Sequence, residues 1–252
     1  MLNKFNQSRT ERESPTPESS RSRGTKSSRR DVTTTSTLVP TTADALADKG
    51  AKCIPYIAGS NANEGTLLTI AVPEEGREAM TALIATMALD GADPTEYLER
   101  LRAEYPSLSI TKHFEHAWND AFRRASINNA EVATAANNCG WVYRFDLPTT
   151  IMKGSLGATH GAEIPFTFNS FSRPDLPAML MHDGDDPVVI DLAQKWSNTV
   201  LAFARTGVPD GGGLPEWPTY KADGRRSLVL NAKSYIADAT LDEKHRKLWG
   251  DT

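Results

Sequence analysis

The sequence predicts an α/β fold with a mostly parallel sheet flanked by helices. Two stretches carry this prediction: residues 53–59, CIPYIAG, and residues 138–147, NCGWVYRFDL, are rich in apolar and aromatic side chains. The first is apolar at nearly every position, which is typical of a strand buried on both faces, as in a parallel sheet. Helical patterns between and after the two stretches complete the α/β arrangement.

Residues 1–37 differ in composition from the rest of the chain. They are rich in Ser, Thr and Arg and contain almost no apolar side chain that a core could bury. Such a segment cannot offset the entropy lost on ordering, so residues 1–37 are predicted to be a disordered tail. Globular composition begins at residue 38 and continues to residue 252. The arginines of the tail could contact RNA or an acidic partner, but a solvated leader is the favoured interpretation.

The overall composition argues against several classes of partner. The chain has 252 residues and a formal net charge of −4, which gives no general attraction to nucleic acid or to an anionic membrane. It has no run of about 18 apolar residues and no apolar region behind the first residues, so neither a membrane span nor a secretory signal is predicted. The compartment is not identified by the sequence, and the cytoplasm is assumed by default.

Neither a metal nor a cofactor is expected. The two cysteines, Cys53 and Cys139, lack the spacing of metal ligands and are interpreted as buried thiols. His113 and His116 share a helical face and could hold a metal, but no third ligand lies nearby in the sequence, and a surface position is favoured.

Residues 73–138 read as helices with breaks near residues 91–94 and 105–107, where Gly and Pro occur. In the last of these helices, apolar side chains recur at spacings of three and four residues, which predicts one buried face. These side chains are Phe114, Trp118, Ala121, Phe122 and Ala125.

A second long helix is predicted to begin at Asp186 and Pro187 and to end at Gly207. Asp is a good N-cap, Pro suits the first helical position, and Gly is common where a helix ends. The acidic cluster that includes Asp183 and Asp185 could bind a cation, but it lacks the spacing of a calcium loop, and capping is favoured. A strand pair is predicted at residues 227–231 and 235–237.

Two candidate reactive side chains follow the two predicted strands. Glu64 lies after the first strand, in the polar turn of residues 60–65, and His160 lies after the second, in a glycine-rich loop. In open α/β sheets, catalytic groups collect at the carboxyl ends of strands. A carboxylate there can accept the ring N–H of a histidine, fix its tautomer and stabilise the imidazolium that forms when it takes a proton from a serine.

Three segments in this order resemble the type-B carboxylesterases, a family of α/β-hydrolases. Residues 54–66, IPYIAGSNANEGT, are similar to the acid motif of the family, and residues 157–168, GATHGAEIPFTF, to its histidine motif. Residues 196–220 are similar to its carboxyl-terminal helix and the Trp-Pro turn that follows. The resemblance covers residues 38–249, in the order and spacing of the family, so the chain is identified as the carboxyl-terminal portion of such an enzyme.

The resemblance implies an incomplete α/β-hydrolase fold and hydrolysis of small carboxylic esters through an acyl-enzyme. Glu64 matches the triad acid and His160 the triad base, while Asn63 replaces the aspartate that commonly precedes the acid. The nucleophile motif of the family, G-x-S-x-G, does not occur in the sequence. The glycine-rich oxyanion loop of the family is also missing. The three glycines at residues 211–213 lie on the wrong side of the histidine in the sequence. The chain is therefore expected to be inactive alone, with a complementing amino-terminal half as a candidate partner.

One alternative function remains open at this point. Cholinesterase-like folds without a working triad act as binding domains, so the chain could be a non-catalytic interaction module. Competent residues at both remaining triad positions favour the hydrolase. By their proximity to the two motifs, Leu67, Leu68, Phe166 and Phe168 are expected to line the substrate pocket.

Overall fold

Four strands form one sheet in the order β1–β2–β3–β4. They are β1 Tyr56–Asn61, β2 Gly140–Phe145, β3 Ser227–Leu230 and β4 Tyr235–Ala237. β1, β2 and β3 are parallel, and β4 pairs with β3 in the antiparallel direction. The predicted mostly parallel sheet is confirmed. β1 stands at the end of the strand order, and three of its six positions are buried and three half-buried, so the predicted burial on both faces is only partial.

The structure is a computed structural model that describes five stretches of the chain. These are residues 54–88, 93–137, 139–173, 181–221 and 223–250. The predicted tail, residues 1–37, and Cys53 lie outside the described residues. Cys139 is buried, as the sequence predicts.

Seven helices lie in the described residues. They are α1 Glu64–Ala71, α2 Glu74–Ala88, α3 Pro94–Glu104, α4 Ile110–Asn137, α5 Ile164–Thr167, α6 Pro187–Thr206 and α7 Glu243–Trp249. The two predicted breaks separate α2, α3 and α4. Short 3₁₀ turns occupy Ile151–Gly154 and Ala239–Leu241.

The polar turn predicted at residues 60–65 is confined to Ala62 and Asn63, because β1 continues to Asn61 and α1 begins at Glu64. The start of α1, Glu64-Gly-Thr, has weak intrinsic helix propensity at Gly65 and Thr66. Contacts from distant parts of the chain stabilise this first turn. The N–H of Gly65 donates to the Asn119 side chain at 3.0 Å, and the N–H of Leu67 donates to the hydroxyl of Thr159 at 3.0 Å.

The two ends of α6 agree with the prediction. The side chain of Asp186 accepts a hydrogen bond from the N–H of Val188 at 2.8 Å, and Pro187 is the first helical residue. Gly207 ends the helix with a φ of 78°, a left-handed conformation that glycine adopts without steric cost. Asp183 accepts from the N–H of Asp185 at 3.0 Å, so the acidic cluster organises this turn and caps the helix.

The sheet is covered on both faces. Because side chains alternate along a strand, Trp141 and Phe145 of β2 point to one face and Val142 to the other. The first face packs against α6 through the buried ring of Trp196. The second packs against α4, where Phe114 is fully buried. Because β1 and β2 are parallel, their carboxyl ends lie at the same edge of the sheet.

The histidines of α4 take structural positions. His113 Nε2 lies 3.0 Å from the carbonyl oxygen of Tyr105. His116 is half-buried rather than on the open surface: its ring stacks on Tyr105 with centroids 4.7 Å apart, and burial lowers its pKa. Within the described stretches, no group of three His, Cys, Asp or Glu side chains could hold a metal ion. None of the described helices is long and apolar enough to cross a membrane.

A buried histidine underlies the loop that carries His160. His182 is 3% exposed, and its ring makes edge contacts with Phe145, Phe166 and Phe171 at centroid distances of 6.1, 4.9 and 6.3 Å. Burial lowers the pKa of His182 to about 4, an effect that the backbone of Ala162 only partly offsets. The imidazole is therefore neutral in the folded chain at neutral pH.

This burial predicts a loss of stability in acid. In the unfolded chain His182 has its ordinary pKa of 6.5, so between pH 6.5 and about 4 the unfolded state binds a proton that the folded state does not. The contribution of His182 to the free energy of unfolding is fully present above pH 6.5. It falls by about 3 kcal/mol on acidification to pH 4. Urea unfolding at several pH values measures it. His182→Leu should remove this part of the slope; equal slopes in both proteins would contradict the prediction.

Candidate active site

Asn63 joins the loops that follow β1 and β2. Its N–H donates to the carbonyl oxygen of Ala158 at 2.9 Å, and its Oδ1 accepts from the N–H of Ala158 at 3.0 Å. Gly157 approaches this side chain so closely that a Cβ would lie 2.3 Å from Asn63 Oδ1, and its φ is +61°. The asparagine that departs from the family motif therefore connects the acid loop to the histidine loop.

Glu64 is a buried carboxylate with two hydrogen-bond partners. Its side chain is 4% exposed; Oε1 accepts from the N–H of Asn61 at 2.6 Å, and Oε2 faces His160. Burial raises the pKa of Glu64 above its ordinary value. The hydrogen bonds from Asn61 and His160 oppose this shift, and the nearby carboxylate of Glu163 adds to it. The carboxylate is thus poorly solvated and held by donors on both oxygens.

The structure brings His160 directly to this carboxylate, although the two residues are 96 positions apart. His160 Nδ1 lies 2.7 Å from Glu64 Oε2, and the imidazole is 46% exposed. Since an ionised carboxylate only accepts hydrogen bonds, Nδ1–H is the donor, and Nε2 of the neutral ring carries the free lone pair. The ring also contacts Phe122, with centroids 5.0 Å apart. The result is an oriented base whose Nε2 is not used in the contact with Glu64.

Four polar residues that the sequence reasoning missed support the pair. The Asn61 side-chain amide donates to the carbonyl of Thr159 at 2.9 Å and to Glu163 Oε2 at 2.6 Å. The Thr66 hydroxyl lies 2.9 Å from that of Thr159. All four stand within three residues of Glu64 or His160, and this proximity is the signal in the sequence that could have identified them.

The predicted pocket lining is only partly accessible. Phe166 is fully buried between Phe145 and Phe171, so the prediction that it lines an open pocket is wrong. Pro165 lies in the first turn of the short helix α5, on which Phe166 is buried in the core. Phe168, by contrast, is 76% exposed, and Leu67 and Leu68 are half-buried.

Chemically, the site is an acid–base pair with a buried carboxylate and a half-exposed imidazole. Glu64 can orient the imidazole and stabilise its protonated form, and His160 can accept and return a proton. Among the described residues, the only hydrogen-bond partner of His160 is Glu64, and no hydroxyl or thiol side chain bonds to Nε2.

Comparisons with known proteins agree with this architecture. The sequence model of the carboxylesterase family matches residues 20–249. The match begins within residues 1–37, the predicted tail. The disorder of that tail stays a prediction. The fumonisin B1 esterase of Sphingopyxis macrogoltabida is 30% identical over 198 residues, which are 77% of this chain and 35% of that protein. The para-nitrobenzyl esterase of Bacillus subtilis is 26% identical over 209 residues, or 81% of this chain and 40% of that protein.

Solved structures show the same likeness. A Geobacillus stearothermophilus carboxylesterase superposes with a TM-score of 0.64 and 25% identity, over 82% of this chain and 42% of that one. This chain therefore spans about two fifths or less of the length of the relatives it matches. Its four-stranded sheet and flanking helices form part of an α/β-hydrolase fold. With the family match over most of the sequence, the chain belongs to the carboxylesterase family.

Proposed function

We propose that this chain supplies the acid and the base of a serine carboxylic-ester hydrolase, with Glu64 as the acid and His160 as the base. One observation carries the proposal: the 2.7 Å contact between His160 Nδ1 and a buried carboxylate, made by an imidazole that is itself 46% exposed. In a member of the carboxylesterase family, this arrangement matches the demands of general acid–base catalysis on an ester.

The proposed reaction follows the usual acyl-transfer cycle. His160 Nε2 takes the proton of a serine hydroxyl as the serine oxygen attacks the ester carbonyl, and Glu64 stabilises the imidazolium. The imidazolium then gives its proton to the departing alcohol, leaving an acyl-serine. A water molecule, deprotonated by Nε2 in the same way, attacks the acyl-serine, and the proton returns to the serine oxygen as the carboxylic acid leaves.

The serine and the oxyanion donors are proposed to come from a segment outside this sequence, which contains no G-x-S-x-G. Two observations support such a segment. In the described part of the chain β1 pairs only with β2, so its outer edge can accept a further strand. A parallel strand added there would end beside Glu64 and His160, which is where a nucleophile elbow must stand. In the loop that follows β2 and carries His160, the apolar side chain of Phe168 is 76% exposed.

The test uses a fluorophosphonate probe, which labels an activated serine, and a p-nitrophenyl ester. The chain alone is expected to show neither labelling nor turnover above buffer, because removal of the nucleophile and of the oxyanion donors each costs orders of magnitude in rate. Co-expression with an amino-terminal segment that carries the serine and the oxyanion loop should restore both.

Each other outcome has a definite meaning. Stoichiometric labelling of the chain alone would overturn its dependence on another segment. A chain that binds its amino-terminal partner without any labelling or turnover would instead support a non-catalytic interaction module.

A further inference from the structure

One face of helix α4 runs along the acid–base pair. Glu115, Asn119, Phe122 and Ser126 follow each other at spacings of four, three and four residues, so their side chains share one side of the helix. Each contacts a different part of the site or of the strand that leads to it. We call these four residues the α4 site face.

The first contact is a close approach of two backbones. A Cβ added to Gly65, the residue after Glu64, would lie 2.5 Å from Cα of Glu115 and 2.7 Å from its carbonyl oxygen. Only glycine permits this distance. At the other end of the face, the Ser126 hydroxyl donates to the carbonyl oxygen of Gly59 in β1 at 2.8 Å. α4 is therefore fixed against both the strand before Glu64 and the helix that begins there.

The second contact bears on Glu64. The N–H of Gly65 belongs to the first turn of α1, where backbone donors have no partner within the helix. The Asn119 side chain accepts from this N–H at 3.0 Å. Because this N–H is part of the peptide that joins Glu64 to Gly65, the hydrogen bond fixes the backbone from which the carboxylate projects.

The third contact bears on His160. The Phe122 ring lies between the imidazole, at a centroid distance of 5.0 Å, and the indole of Trp118, on which it stacks at 5.8 Å with an interplanar angle of 22°. Phe122 is thus held on one side by its own helix and meets His160 on the other. This distance also lies within the range in which an aromatic ring attracts a cation, such as the imidazolium formed during catalysis.

We infer that helix α4 positions the acid–base pair, with Asn119 and Phe122 as the positioning residues: Asn119 acts through the backbone of Glu64, and Phe122 through the ring of His160. The inference rests on the proposed function for its catalytic meaning. The geometry itself can be measured in this chain without a nucleophile, so a failure of the inference and a failure of the proposed function are distinguishable.

The first test follows the Nδ1 proton of His160 by proton NMR of the full chain. Its hydrogen bond to a carboxylate moves this resonance to low field, and His160→Gln identifies it by its loss. Asn119→Leu is expected to speed solvent exchange of this proton about tenfold, because the partly buried hydrogen bond that fixes the backbone of Glu64 is lost. Asn119→Asp keeps an acceptor oxygen and should restore slow exchange.

The matched control is Asn128→Leu, the same change about 180° around the same helix. It should leave the resonance unchanged, and thermal unfolding of each variant reports whether it is folded. If folded Asn119→Leu keeps the wild-type exchange rate, or if Asn128→Leu has the same effect, the role of Asn119 is overturned.

The second test addresses Phe122 and does not depend on the folding of Asn119→Leu. Diethyl pyrocarbonate modifies accessible imidazole nitrogens, and peptide mass mapping gives the rate at each histidine. Phe122→Leu should raise the rate at His160 several-fold. The rate at His113, which Phe122 does not contact, should stay unchanged and serves as an internal reference. Equal rates at His160 in wild type and variant would overturn the inference for Phe122.

Discussion

His160→Gln is expected to lower the turnover of the assembled esterase at least about 10⁴-fold, with little effect on folding. Glutamine can still donate a hydrogen bond to Glu64 but cannot accept and return a proton during the reaction. The 46% exposure of the imidazole means that the substitution removes little packing. Hydrolysis of a p-nitrophenyl ester by the enzyme assembled with its serine-bearing segment gives the measurement.

The matched control for this prediction is His113→Gln. His113 bonds to the carbonyl oxygen of Tyr105 through Nε2 and does not contact Glu64 or His160, so turnover should stay within about twofold of the wild type. Retention of more than a tenth of the wild-type turnover by His160→Gln would refute its role as the base.

Arg123→Met is expected to destabilise the chain by about 3–5 kcal/mol, the largest effect on folding that we predict. The guanidinium of Arg123 on α4 forms two hydrogen bonds to Asp242, at 2.9 and 2.8 Å, across 119 residues. The two side chains are 5% and 2% exposed. Burial alone would raise the pKa of Asp242, but the charge and hydrogen bonds of Arg123 outweigh it and lower that pKa. Without Arg123 a buried carboxylate loses its counter-ion.

Two controls separate this effect from loss of charge in general. Arg102→Met breaks an exposed ion pair with Glu78, where the side chains are 53% and 66% exposed, and should cost less than about 1 kcal/mol. Adding Asp242→Leu to Arg123→Met removes the unpaired carboxylate and should recover part of the loss. Urea unfolding measures all of these variants. Similar losses in Arg102→Met and Arg123→Met would contradict the prediction.

Local chemistry accounts for the parts of the fold that the sequence predicts well. The cap at Asp186 and Pro187 and the end at Gly207 depend on neighbouring residues alone, and the structure matches them. The strands also follow from local composition, since most of their side chains are apolar or aromatic. β1 extends two residues beyond the predicted Gly59, because pairing with β2 continues to Asn61 opposite Phe145.

Features that depend on distant contacts were predicted less well. α1 contains Gly65 and Thr66, which are weak helix formers, and its first turn is completed by Asn119 and Thr159 from other parts of the chain. Phe166 lies two residues from Phe168 and has the same side chain, yet one is fully buried and the other 76% exposed. The short helix α5 and the shape of the core beneath it cause this difference in burial. Neither can be inferred from the spacing of the two residues in the sequence.

The sequence by itself determined the fold class, the family, and the presence of a carboxylate and a histidine after two strands of a parallel sheet. Those conclusions depend on residue types and their order. The tertiary structure alone decided that His160 Nδ1 and Glu64 Oε2 lie 2.7 Å apart, and that α4 lies against both residues. A hydrogen bond between residues 96 positions apart depends on where the fold places their two backbones. The packing of α4 against the sheet sets that placement.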